Sequence, residues 1–138
     1  MAKRNGADLT IDPTTEDVVA IAKDATDGRG FDIVIDDANT AQSARLCLDI
    51  ARPCATVLWG GNYLPDDTVE VPLQMLRSYK MLTIKTTIQS PYTFQRAVSL
   101  LPKLDLEPLI SKVYPLSEVN AALDHQKSGE DFTILIKP

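Results

Sequence analysis

Histidine is nearly absent from this chain and cysteine is scarce: His125, Cys47 and Cys54 are its only soft metal ligands. No two of them stand at a short chelating spacing, and a closed zinc site needs a full set of such ligands, so an all-Cys/His zinc site is excluded. Two cysteines make no disulfide framework and read as reduced thiols. Long apolar runs are missing as well, none nearing the roughly 20 residues of a membrane span. The opening Met1-Ala2-Lys3-Arg4-Asn5-Gly6 leads into no apolar signal segment. A cytoplasmic protein without membrane contact is the expectation. Positive charge is in deficit, with 14 Lys and Arg against 19 Asp and Glu. The net charge of -5 has the wrong sign for gripping nucleic acid or an anionic membrane. With six glycines the chain contains no G-x-G-x-x-G, P-loop, G-x-S-x-G or H-E-x-x-H. No single motif specifies a reaction.

What remains is enough apolar content, 44%, for a packed core, distributed in alternating strand and helix patterns. Leu9-Thr10-Ile11 reads as a very short strand closed by Asp12-Pro13. Thr14 or Thr15 then caps a helix over Glu16 to Ala25, with Val18, Val19, Ile21 and Ala22 as its buried stripe. Phe31 to Ile35 is a β-branched run of the kind that fills a strand buried on both faces. Thr40 starts a second helix that Pro53 stops, and Ala55 to Trp59 is the next buried strand. Val69-Glu70-Val71 reads as a short extended piece, Leu73 to Ser78 as a helical turn or two, and Met81 to Thr86 as a further strand. A helix from Tyr92 to Leu101, a Pro-punctuated connector from Pro102 to Pro115, a helix capped by Ser117, and a strand from Phe132 to Ile136 complete the chain. Units of this length and order predict an α/β protein with a mostly parallel sheet.

In such sheets ligands bind outside the carboxyl ends of the strands. The loops Asp36-Asp37-Ala38-Asn39-Thr40, Gly60-Gly61-Asn62-Tyr63 and Thr87-Ile88-Gln89-Ser90 should therefore share one edge. Gly28-Arg29-Gly30 precedes a strand and reads as a helix stop on the opposite edge, since phosphate loops run from strand to helix. Asp36 and Asp37 could hold Mg²⁺ or accept a phosphoryl group. The plainer reading makes them strand-end residues wetted at the sheet edge, because adjacent strand residues point to opposite faces. Gly60 and Gly61 either make a turn or permit close backbone approach to a ligand. His125 reads as a solvent-near helix-end residue, Cys47 as a small helix hydrophobe, Cys54 as a strand-entry residue and Trp59 as core.

The order of segments carries more than any one of them. Ala2 to Asp8, Asp27-Gly28-Arg29-Gly30-Phe31-Asp32-Ile33-Val34-Ile35-Asp36, Val57-Leu58-Trp59-Gly60-Gly61, Lys80 to Lys85, Leu106-Glu107-Pro108-Leu109-Ile110-Ser111, Pro115-Leu116-Ser117-Glu118-Val119-Asn120-Ala121-Ala122 and Ser128-Gly129-Glu130 follow one another in that order, with the strand Thr133 to Lys137 as the ending. This series resembles the later cofactor-domain half of the zinc-type alcohol dehydrogenases, the medium-chain dehydrogenase/reductases, over essentially the whole chain.

That resemblance implies a partial Rossmann-like three-layer sheet lacking its first two strands. Residues 1–87 would supply strands three to six, and residues 88–138 the tail that returns to a catalytic domain. It implies NAD or NADP as cofactor, with zinc, if any, held in a preceding portion. Ala38 and Asn39 match the loop beside the cofactor, Asn39 replacing a frequent glycine. Trp59, Gly60 and Gly61 match the loop on the nicotinamide side, and Thr86, Thr87 and Ile88 the backbone stretch that holds the carboxamide. Thr133 stands where many members place a cation toward the pyrophosphate, so binding should be weak. The complete enzyme would transfer hydride between NAD(P) and an alcohol or polyol, and this chain alone is expected to be inactive.

The alternative is a non-catalytic binding module that associates with itself through exposed sheet edges at Phe31–Ile35, Val69–Pro72 and Met81–Thr86. A receiver-like phosphorylation domain using Asp36 or Asp37 is disfavoured, because its partner acidic loop and Lys-Pro pairing are not seen.

Overall fold

The structure, a computed structural model, describes residues 1–88 and 92–138. They form two compact units, one from residues 11–88 and the other from residues 1–10 with 92–138. Among the described residues no helix is long and apolar enough to cross a membrane.

The first unit holds α1 (Val18–Asp24), β1 (Phe31–Asp36), α2 (Ala41–Ile50), β2 (Ala51–Trp59), a π-helical segment (Met75–Lys80) and β3 (Thr83–Thr86). Its sheet has the order β1-β2-β3 and both pairings are parallel. Thr40 caps α2 as its spacing suggests, its Oγ1 accepting from the Ser43 N–H at 3.0 Å. The amphipathic stripe of α2 places Ala44, Cys47 and Leu48 over one face of the sheet, where Val34, Ala51, Ala55 and Val57 complete the core. Leu48 and Val57 are fully buried, and each contributes about 1.5–3 kcal/mol by leaving water.

Three expectations need correction. Leu9-Thr10-Ile11 forms no strand and has no pairing partner among the described residues. The cap of α1 is Asp17, whose carboxylate accepts from the Ala20 N–H at 3.0 Å. Asp12 competes for the threonine, accepting from both the N–H and the hydroxyl of Thr14 in a turn, so the helix begins later. Val69-Glu70-Val71, read as an extended piece, joins neither sheet among the described residues. Finally, β1 is buried on one face only: Val34 and Asp36 are covered, while Ile33 and Ile35 are 68% and 64% exposed. β-branching set the strand correctly, but α2 lies over a single face of the sheet.

The second unit contains α3 (Phe94–Leu100), β4 (Ile110–Pro115), α4 (Val119–Ser128) and β5 (Thr133–Lys137). β4 lies inside the segment read as a connector, its β-branched core masked by the prolines on either side. β4 and β5 pair in parallel, and α4 packs on both through the buried Ala122. Residues 1–10 join this unit: Asn5 exchanges hydrogen bonds with the Asp105 backbone at 3.1 and 2.7 Å, and Arg4 pairs with its carboxylate at 2.8 Å.

Candidate functional site

Parallel register brings three strand ends into line. Asp36 of β1 stands opposite Trp59 of β2, and Trp59 opposite Thr86 of β3. The loops that follow, at Ala38–Asn39, Gly60–Gly61 and Thr87–Ile88, consequently share one edge. Gln89 and Ser90 of the third loop lie outside the described residues.

Asp36 departs from the wetted strand end expected of it. It is only 3% exposed, with one carboxylate oxygen accepting from the Ala38 N–H at 3.1 Å and the other from the Tyr63 hydroxyl. The loop after β2 folds back to cover it. Asp37 stays exposed, so the two carboxylates do not converge on an ion. Burial, and then the Asp36 carboxylate beside it, push the Tyr63 phenol well above its usual range. The sequence places Tyr63 in an edge loop but gives no sign of its bond to Asp36, since a loop tyrosine has no periodicity to mark its partner.

The two glycines answer to the protein's own backbone. The Gly60 N–H donates to the Asp36 carbonyl at 2.9 Å, and a Cβ there would sit 3.2 Å from that oxygen. A Cβ on Gly61 would lie 3.1 Å from the backbone of Asn39. Asn39 has φ +61°, a left-handed conformation that asparagine tolerates and glycine favours. Its Oδ1 accepts from the Asn62 N–H at 2.6 Å, latching the first loop to the second.

Trp59 is half-buried, and its indole N–H donates to the Ala44 carbonyl at 3.2 Å. Beside it opens a cavity of about 230 Å³ lined by Ala41, Ala44, Trp59, Tyr63, Asp67 and Val69. Ala38, Thr86, Thr87 and Ile88 are exposed. Cys47 is buried under the sheet, where burial, reinforced by Asp36, pushes its thiol up to about 11 and removes it as a nucleophile. Cys54 is exposed, and Thr133 opens β5 opposite Ile110 in the second unit. His125 is more enclosed than a helix-end residue need be, held between Tyr114 and Asp131. Among the described residues no group of three or more His, Cys, Asp or Glu could hold a metal ion.

The class this defines is an α/β protein whose parallel strands deliver glycine- and threonine-bearing loops to a single edge. The chain belongs to the zinc-binding dehydrogenase family, whose model matches residues 5–132. It is similar to a D-arabitol-phosphate dehydrogenase of Enterococcus avium, 27% identical over 99% of this chain and 39% of the relative. A sorbitol dehydrogenase of Halalkalibacterium halodurans is 25% identical over 99% of this chain and 40% of its own. An alcohol dehydrogenase structure from Thermotoga maritima superposes with a TM-score of 0.88 and 25% identity, over 99% of this chain and 39% of that one. The chain thus spans about two fifths of the length of these relatives.

Proposed function

We propose that this chain is the cofactor-edge portion of an NAD(P)-dependent oxidoreductase acting on alcohols or polyols, with hydride transfer confined to the complete enzyme. One observation carries the reading: the register that sets Asp36, Trp59 and Thr86 side by side and turns their loops toward one edge. Membership of the zinc-binding dehydrogenase family and likeness to polyol dehydrogenases supply the chemistry. When bound, the nicotinamide is the hydride carrier. The exposed residues Thr86 to Ile88 would offer backbone groups for its carboxamide, and Trp59 to Gly61 border the same edge. Ala38 and Asn39 limit how far the cofactor can enter, because the Asn39–Asn62 latch already closes the gap between two loops.

A zinc ion does not fit the donor set described, so no step is assigned to one in these residues. Among the described residues, nothing on the edge replaces a glycine-rich phosphate loop. Binding by this chain alone is accordingly weak. Two-dimensional NMR with millimolar NADH tests the reading. Shifts concentrated at Ala38, Asn39, Gly60, Gly61, Thr87 and Ile88 support it, and shifts scattered elsewhere or absent overturn it.

A second reading is favoured by one feature. β1 and β3 are both edge strands, and β1 presents Ile33 and Ile35 to solvent. Self-association through these edges would satisfy the unpaired backbone groups. Sedimentation at high concentration would give a mass above the monomer on this reading, and a monomer would exclude it.

A further inference from the structure

Four side chains of the second unit converge without any role in the edge described above. The Tyr114 hydroxyl lies 2.8 Å from His125 Nδ1, and His125 Nε2 lies 2.9 Å from Asp131 Oδ2. The Tyr114 and His125 rings meet edge to face with centroids 6.0 Å apart. Lys112, two residues before Tyr114 on the same face of β4, places its ammonium 5.0 Å from the phenol ring centroid.

The tautomer follows from the partners. An ionised Asp131 can only accept, so Nε2 carries the imidazole proton and Nδ1 is left as the acceptor for the Tyr114 hydroxyl. The order is that of an activated nucleophile: hydroxyl, base, and carboxylate orienting the base. Lys112 adds a positive charge beside the oxygen that would become negative, and the phenol in turn holds the ammonium above the ordinary lysine range. We infer that Tyr114 is a general-base-activated nucleophile, an acceptor site for small activated acyl donors.

The step balances without a further reagent. The Tyr114 oxygen forms a bond to the acyl carbon as the donor's leaving group departs. The phenolic proton passes to His125 Nδ1, the imidazolium is held by Asp131, and the proton is then returned to the leaving group. The product is an acyl-tyrosine ester with no change of oxidation state.

The chain contains its own controls. Tyr92 and Tyr79 are 102% and 65% exposed, so ordering by access alone puts them first. Tyr63 is held by Asp36 and its phenol is pushed up. Limiting N-acetylimidazole on the full chain, with peptide mapping by mass spectrometry, reads each tyrosine separately. Tyr114 should acetylate about tenfold or more faster than Tyr92, because general-base assistance of about a hundredfold or more outweighs its lower exposure. His125→Gln should bring Tyr114 to or below the Tyr92 rate. Asp131→Asn should do the same while leaving the fold intact, because an amide that donates to Nε2 moves the ring proton to Nδ1 and removes the base. Faster labelling of Tyr92 in the unmodified chain overturns the proposal. So does an unchanged Tyr114 rate in Asp131→Asn with native circular dichroism.

Discussion

The phenol of Tyr63 donates to the buried carboxylate of Asp36, bridging the loop after β2 to the last residue of β1. Without this bond a carboxylate 3% exposed would be left with a single backbone donor. Tyr63→Phe removes the donor and keeps the ring. The expected cost is about 1–3 kcal/mol in urea unfolding, the penalty for an under-satisfied buried charge. An unchanged midpoint would show that the loop does not depend on it.

Alkaline pH should weaken the fold. The Cys47 thiol is raised from 9.0 to about 11 by burial, and the Tyr63 phenol is raised for the same first reason. In the window between the unfolded and folded values the native state binds more protons than the unfolded chain, so stability falls as pH rises. Urea midpoints should therefore be flat through neutrality and decline above about pH 9, the ordinary range of a free thiol. A midpoint that climbs from pH 8 to 10 contradicts this.

The two thiols should also separate kinetically. Cys54 is exposed on β2 and should react with a disulfide reagent at once, whereas Cys47 should wait for unfolding. One fast equivalent in native protein and two in denaturant is the expected count. Two fast equivalents would place Cys47 outside the core.

Lys80 closes the carboxyl end of α2. Its ammonium donates to the carbonyls of Leu48 at 3.0 Å, Asp49 at 2.9 Å and Ala51. Lys80→Met should cost about 1–3 kcal/mol, since three charge-assisted bonds to carbonyls at the end of α2 are lost. Lys23→Met, the same charge change at an exposed position, should cost little. Equal midpoints for the two variants would remove the cap from the account.

Lys80 and Tyr63 also show where the sequence stops being legible. The strands at Phe31–Ile35 and Ala55–Trp59 announce themselves as apolar runs, and Thr40 through its place before an amphipathic stripe, but β2 begins earlier than expected, at Ala51, where the sequence reads as the end of a helix. The shared edge follows from those elements alone, because parallel strands end on the same side. Asn39, Tyr63 and Lys80 act through partners 23, 27 and about 30 positions away, and spacing along the chain carries no sign of that. The same gap misled the reading of Asp36. Its place at a strand end was correct, but the loop that buries it comes from the next strand. β4 was hidden for a local reason: Pro108 and Pro115 frame it and make a strand resemble a connector.

On the proposed reading these residues form the nicotinamide-side edge and by themselves hold the cofactor only weakly. Titration of the chain into NADH, followed by the dinucleotide's own fluorescence, tests it most directly. The expected result is no saturation through the micromolar range and only a shallow rise beyond it. Saturable micromolar binding would contradict it.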